Sequence, residues 1–434
     1  MIQKLYSHFI KQPLVCTDTR DIKQGSIFFA LKGDSFDANK FAEQALNSGC
    51  SLAVIDDEQY IKDERYFLVK DVLCALQALA NYHRRQLTIP VISITGSNGK
   101  TTSKELLNAV LSQKYKVLAT KGNLNNHIGV PLTLLNITKE HDIAIVEMGA
   151  NHQGEIAMLC KIAEPDFGMI TNIGKAHLEG FGGYEGVVKA KSELYNYIKE
   201  KGGKLFVNAD NELLKKLSDG AAKITYGASD AADFAGKYLE SSPFVKLKCK
   251  AKNDTQSMDE KPVISTQLIG SYNFENILSA ACIGHYFDVS DDQIKTGLEN
   301  YVASNNRSQM MKTENNLLLL DAYNANPASM NAAIENFSQM EHSDKMVILG
   351  DMLELGEDSA KEHDAIAALL RGKKLTNAVL VGPFFMEAGK AIGAKTFADS
   401  GQAAAFLKEN LVKNKTILIK GSRGIKLEKV IEFL

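Results

Sequence analysis

The chain has 434 residues, too many for one hydrophobic core, and at roughly 100–200 residues per domain it divides into several. Hydrophobic residues make up 45% and charged residues 24%, and a net charge of −2 gives no electrostatic reason to expect nucleic acid or an anionic membrane as partner. No segment reaches the length of a membrane span, MIQKLYSHFIKQPLV lacks a signal-peptide core and cleavage site, and six cysteines are scattered without a C-x-x-C pair. These features predict a cytoplasmic, multidomain protein with buried free thiols instead of disulfides or a zinc site.

Short apolar runs (SIFFALKG, SLAVID, YFLVK) and a helical stretch from Ala75 to Arg85 predict a small α/β domain over 1–86. After Pro90, the runs VISIT, KVLAT, DIAIVEMG, DFGMITNIG, KLFVNA and KITYG alternate with helical segments, the pattern of a parallel sheet covered on both faces. Around 232–270 the rhythm changes to short strands broken by KNDTQSMDEKP, an antiparallel excursion with a solvated hairpin. A helix follows from about Tyr272 to Phe287. Beyond Tyr301, LLLLDAY, KMVILGD, NAVLVG and TILIKGSRG form a second α/β series. The fold class is therefore α/β in three domains: a small α/β unit (1–86), a central parallel-sheet domain (87–302), whose P-loop is read next, and a Rossmann-like α/β unit (303–434).

VISITGSNGKTTSKELLNAVL reads as a strand, a glycine-rich turn and an amphipathic helix. Gly96 and Gly99 allow a tight turn that aims backbone N–H groups at a phosphate. Lys100 can reach β/γ oxygens, and the Thr101 hydroxyl can hold Mg²⁺. Ser97, Asn98 and Thr102 complete the loop, whose spacing departs from the usual motif because Ile94 stands at its first glycine. Glu147 ends the run DIAIVEMG at the carboxyl edge of a parallel strand, where open α/β sheets bind ligands, and His177 follows the next strand. Each alone suits a surface position; together beside a phosphate loop they suit a metal. Winding GVVKAKSELYNYI at ~100° per residue puts Lys191 among Val187, Val188, Leu194, Tyr195 and Ile198, with Lys189 opposite. A charged amine there must snorkel outward, find a partner or be neutralised.

TGSNGKTT is similar to the ATP-binding signature of the Mur ligases and folylpolyglutamate synthetases. KGNLNNHIGVPLT, EMGANHQGEI, TNIGKAHLEGFGG, AKSELY, SYNFEN, DAYNANPASM and ILIKGSRG, in that order, resemble one branch of the Mur ligase family across nearly the whole chain. The resemblance implies ATP-dependent joining of D-alanyl-D-alanine to UDP-N-acetylmuramoyl-tripeptide. It further implies two Mg²⁺ ions, one held by Thr101 and Glu147, the other by Glu147, His177 and a carbamylated Lys191. It gives Asn276 an adenine contact, Asp321 the ribose hydroxyls and Arg307 the γ-phosphate; Asn276 alone also reads as a helix cap. In the first domain Asp18, Thr19, Arg20, Lys32 and Gly33 look like a UDP-sugar pocket. The pattern departs at Ser26, where an acidic residue is usual, and at Ala38-Asn39 in place of Gly-His. Asn123, Asn125, Asn126 and His127 suit substrate contacts or plain turn chemistry. Asn324, Asn326, Ser422 and Arg423 are the residues expected to meet the incoming dipeptide. The rival readings are another amide ligase on the same scaffold, a P-loop switch or transport protein, and a silent nucleotide-binding scaffold.

Overall fold

The computed structural model describes residues 1–241, 243–304, 306–341 and 344–434. Three sheets organise the chain. The first has four parallel strands in the order Val15–Cys16, Ile27–Phe29, Leu52–Ile55, Tyr66–Leu68, beside a small hairpin of Lys32–Gly33 and Phe36–Asp37. The helix Val72–Arg84 follows, starting three residues earlier than its apolar pattern because the Asp71 carboxylate accepts from Cys74 N at 2.6 Å and caps it.

The second sheet has nine strands, and its phosphate-loop strand Val91–Thr95 lies between Ile143–Glu147 and Phe167–Ile170, all parallel. Both neighbouring strands come later in the chain and lie on opposite sides, so strand order reverses at the carboxyl end of Val91–Thr95. That reversal opens a crevice at this edge. All five residues of Val91–Thr95 are buried, as an apolar run covered on both faces requires. The far end of the sheet turns antiparallel through Phe234–Ser241, Phe244–Ala251 and Ile264–Ile269, as the change of rhythm predicted. The apolar core does not break at residue 86: Leu76 and Leu79 of the helix Val72–Arg84 join one cluster with Val130, Leu134 and Leu159 of the central unit.

The third sheet runs Gln309–Lys312, Leu317–Asp321, Thr416–Lys420, Lys345–Gly350, Ala378–Val381, Lys395–Phe397. Its four apolar strands match the predicted series. The two edge strands, QMMK and KTF, were not predicted, since short half-polar runs carry no clean alternation. Among the described residues no helix is long and apolar enough to cross a membrane. All six cysteines are free thiols, but only Cys50, Cys160 and Cys282 are buried as expected; Cys16 and Cys249 are half-buried, and Cys74 is exposed because it sits on the solvent side of the helix Val72–Arg84.

Candidate active site

The phosphate loop turns at Gly96 (φ 144°) and enters its helix, Lys100–Leu111, through Gly99 (φ 78°). Neither position admits a side chain: a Cβ at Gly96 would meet Thr171 Oγ1 at 2.0 Å, and one at Gly99 would meet Asn276 Oδ1 at 2.6 Å. The loop is braced from the neighbouring strand end. Asn98 N donates to Asn172 Oδ1 (3.0 Å), Thr171 Oγ1 donates to Asn98 O (2.6 Å), and Ser97 Oγ donates to Gly174 O (3.1 Å). Lys100 Nζ donates to the carbonyls of Gly96 (2.7 Å) and Ser97 (3.2 Å). Its burial lowers the ammonium to about 8, with Glu147 pulling up and Arg307 pushing down.

Loop and strand ends open into a cleft of about 830 Å³. Ser97, Asn98, Gly99, Lys100, Thr101, Thr102, Asn123, Asn125, Asn126, His127, Glu147, His177 and Asn276 line one side, with Arg307, Asp321, Asn324 and Asn326 across from them. The two walls touch: Asn326 Nδ2 donates to Asn98 Oδ1 at 2.7 Å, and Lys175 pairs with Glu362 at 3.0 Å. Asn326 also caps the helix Pro327–Gln339 through Ser329 N. Asn276 is no cap. It is the fourth residue of the helix Asn273–Tyr286, bonded to Asn273 and Ser103 beneath Gly99. Asn126 accepts from Ile128 N and Gly129 N, which is turn chemistry.

Glu147 is buried. Its Oε1 accepts from Thr101 Oγ1 (3.1 Å) and Asn125 Nδ2 (2.8 Å), while Oε2 has no partner. A buried carboxylate oxygen without a donor is a costly vacancy in hydrogen bonding, and a divalent cation would satisfy it. Glu147 and Thr101 therefore fit a metal. Among the described residues no three His, Cys, Asp or Glu gather. The His177 ring lies against Glu354, and its backbone takes a left-handed turn (φ 52°). Lys191 is 2% exposed, with Nζ 3.5 Å from Ala150 O and 5.2 Å from the Phe181 ring centre. Val187, Leu194, Tyr195 and Ile198 bury beside it and Lys189 is exposed, as the periodicity predicted, while Val188 is only half-buried. Burial, with Lys100 adding repulsion, lowers its amine to about 7.

Across the cleft, the Arg307 guanidinium stacks 3.6 Å from the Tyr323 ring centre and its Nε is unpartnered. Asp321 pairs with the buried Lys420 at 2.5 Å, directly across the register of two parallel strands. Lys420 and Tyr323 escaped sequence reasoning. The signal for Lys420 was present, a lone charge ending the apolar run TILIK, by the logic that found Glu147. Neither Arg423 nor Ser422 lines the cleft: Arg423 lies 5.5 Å from the ring centre of Tyr323, which does, and the Ser422 hydroxyl is held by Leu353 N and Ala325 O. The first sheet's candidates form no part of the cleft. Asp18 and Arg20 make an exposed bidentate pair that holds the Asp18 carboxyl down at about 2, Thr19 is in the intervening turn, and Lys32, beside the exposed Gly33, pairs with Asp56 at 2.8 Å. At the positions that depart from the family pattern, Ser26 and Asn39 are buried and fully bonded.

A phosphate loop opening on a cleft closed by a second α/β unit defines the class, and the chain belongs to the Mur ligase family. Residues 94–284 match the Mur ligase middle domain, and residues 306–423 match the Mur ligase, glutamate ligase domain. The particular resemblance is to members that add D-alanyl-D-alanine. The chain is 37% identical to the UDP-N-acetylmuramoyl-tripeptide--D-alanyl-D-alanine ligase of Escherichia coli (strain K12), over 97% of this chain and 93% of that one. The crystal structure of MurF from Acinetobacter baumannii superposes with a TM-score of 0.86 at 32% identity, covering 96% of this chain and 92% of the other. MurF ligase from Thermotoga maritima, solved in complex with ADP, gives 0.83 at 27% identity, covering 97% and 96%. Family membership displaces the reading of a phosphate-loop switch or transport protein.

Proposed function

We propose that this ligase uses ATP to join D-alanyl-D-alanine to UDP-N-acetylmuramoyl-tripeptide through an acyl phosphate, forming the pentapeptide precursor of peptidoglycan. The observation that carries the reading is the cleft itself, whose phosphate loop and opposite wall come from different sheets tied at Asn98 and Asn326. Such a cleft suits a nucleotide and two substrates meeting away from water. A carboxylate is a poor electrophile, so it must be activated. Transfer of the γ-phosphoryl group to the tripeptide's terminal carboxylate creates a good leaving group. The dipeptide's amine then attacks the acyl carbon, loses its proton, and phosphate departs from the tetrahedral intermediate.

Lys100 and Arg307 supply positive charge where two anions approach. Mg²⁺ bound at the loop would offset the same repulsion. Thr101 and Glu147 would hold one ion, which the unpartnered Glu147 Oε2 supports. A second would fall to Glu147, His177 and a carbamylated Lys191; a buried amine poised near neutrality supports the modification, since only the free amine adds carbon dioxide. Asn276 and Asp321 would hold adenine and ribose. Residues 1–86 would take the UDP-sugar through Asp18, Thr19, Arg20, Lys32 and Gly33, residues 87–302 the nucleotide, with Asn123, Asn125, Asn126 and His127 toward the substrate, and residues 303–434 the dipeptide through Asn324, Asn326 and Arg423. The reading carries a monomeric cytoplasmic enzyme acting on small molecules.

ADP release tests it. Continuous release is expected only when ATP, the UDP-linked tripeptide and D-alanyl-D-alanine are present together, and not with D-alanine or L-glutamate as the amine. Lys100→Ala is expected to abolish it. ADP release sustained over many turnovers without an amine, or near-normal turnover by Lys100→Ala, would overturn the proposal.

A further inference from the structure

Two of the six cysteines meet. Cys16 ends the two-residue edge strand of the first sheet, Cys50 lies in the turn before Leu52–Ile55, and their Sγ atoms are 3.8 Å apart. Ser26 Oγ, just before the strand Ile27–Phe29 that lies between them, is 3.5 Å from Cys16 Sγ and 3.4 Å from Cys50 Sγ. The backbone holds Cys50 in place: its N–H donates to Ala45 O at 3.0 Å, Gly49 O accepts from Gly25 N at 2.7 Å, and Ser51 N donates to Ser26 O at 2.9 Å. The edge strand carrying Cys16 has freedom to follow, because it pairs on one side only and leads into the irregular segment 17–22. Among the described residues this is the one contact between two thiols; Cys160, for comparison, touches a thioether, Met148 Sδ.

We propose that Cys16 and Cys50 are an oxidisable dithiol that closes to a reversible disulfide and thereby fixes the segment carrying Asp18, Thr19 and Arg20. Closure needs the sulfurs to approach from 3.8 Å to a bond of ~2.05 Å, a motion within reach of side-chain rotation and a small shift of the edge strand. The contact also sets reactivity. The hydrogen bond from Cys16 lowers the Cys50 thiol in spite of burial, and the same bond drives Cys16 upward. The thiolate is the form that reacts with an oxidant. With hydrogen peroxide, the Cys50 thiolate takes one oxygen, the O–O bond breaks, and hydroxide leaves with the proton Cys50 had released. The Cys16 sulfur then loses its proton and displaces hydroxide from the Cys50 sulfenic acid. Two thiols and one peroxide become one disulfide and two waters.

The oxidised bridge would join the residue two positions before Asp18 to the Gly49–Ser51 turn. Its effect on substrate rests on the proposal that residues 1–86 take the UDP-linked tripeptide; the bridge itself does not. The full-length protein is treated with hydrogen peroxide, denatured, alkylated and mapped by mass spectrometry, beside the variants Cys16→Ser and Cys50→Ser. The expected result is a protein lighter by two hydrogens, a Cys16–Cys50 linked peptide, loss of two of its six alkylatable thiols, and full return after dithiothreitol. Neither variant should form a linked peptide. Independent alkylation of Cys16 and Cys50 after peroxide, with Cys74 alone oxidised, would overturn the proposal. With the bridge formed, a higher KM for the UDP-linked substrate at unchanged kcat supports the coupling. An unchanged KM leaves the dithiol standing and refutes its control over that segment.

Discussion

Lys191 sets function against stability, and Lys191→Met separates the two. The amine lies 2% exposed on an apolar helix face, and burial takes it from the ordinary 10.5 to about 7, worth on the order of 5 kcal/mol against the ammonium form. Because the folded value is the lower one, the unfolded chain binds more protons between about pH 7 and 10.5. The penalty is therefore complete below that window, shrinks as pH rises through it, and is gone above it. Methionine fills a similar volume without the charge. It forgoes the Phe181 ring contact and the long bond to Ala150 O, each worth about 1 kcal/mol or less at this separation. Melting of wild type and variant at about pH 6 and about pH 9.5, with carbon dioxide excluded, reads the difference. The variant is expected to melt several degrees higher at the acid end, with the advantage shrinking at the alkaline end, and to have lost ligation at both. An equal loss of melting temperature at both pH values would refute the reasoning, since it would mean the ammonium is well satisfied where it lies.

Glu147→Gln keeps the side chain's shape and the contacts to Thr101 and Asn125 but removes the charge facing the unpartnered oxygen. Losing a charged contact of ~1.5–3 kcal/mol should weaken Mg²⁺ by about 10–100-fold, read by Mn²⁺ titration; unchanged metal affinity would exclude the role. Gly99→Ala places a Cβ 2.6 Å from Asn276 Oδ1 at φ 78°. Strain of ~1–2 kcal/mol plus the clash should cost at least about tenfold in nucleotide affinity by calorimetry, and wild-type affinity would contradict the loop geometry. Asn326→Asp preserves the helix cap to Ser329 N but turns the donor facing Asn98 Oδ1 into an acceptor. The melting temperature should hold while KM for ATP rises by about 5–10-fold, a net bond of ~1 kcal/mol; a lowered melting temperature with normal KM would assign Asn326 to folding alone.

Local chemistry was legible in the sequence and long-range placement was not. Glu147 and the phosphate loop were visible because a charge or a glycine cluster at the end of an apolar run has few structural explanations. Lys191 was visible because helical periodicity puts it among apolar neighbours. The partner of Asn98 was invisible: Asn326 lies 228 residues away, and which faces of two sheets meet is decided by packing across the whole chain. Tyr323 escaped for the same reason, since an aromatic becomes an arginine platform only when the loop carrying Arg307 folds over it. That loop is held by Ser308, which receives Asn273 Nδ2 at 3.2 Å and lies 3.1 Å from Tyr272 OH. The inward bonds of Ser422 were not legible, because serine beside a glycine and an arginine suits both a ligand loop and a turn that satisfies backbone groups.

Activation of the carboxylate as an acyl phosphate is the step on which the assignment of Lys100, Glu147 and Arg307 depends, and isotope transfer reads it directly. UDP-linked tripeptide carrying heavy oxygen in both positions of its terminal carboxylate is turned over with ATP and D-alanyl-D-alanine, and the inorganic phosphate is weighed. One heavy oxygen per phosphate released, with the other kept in the new amide carbonyl, is the predicted result. Phosphate free of the label would contradict it.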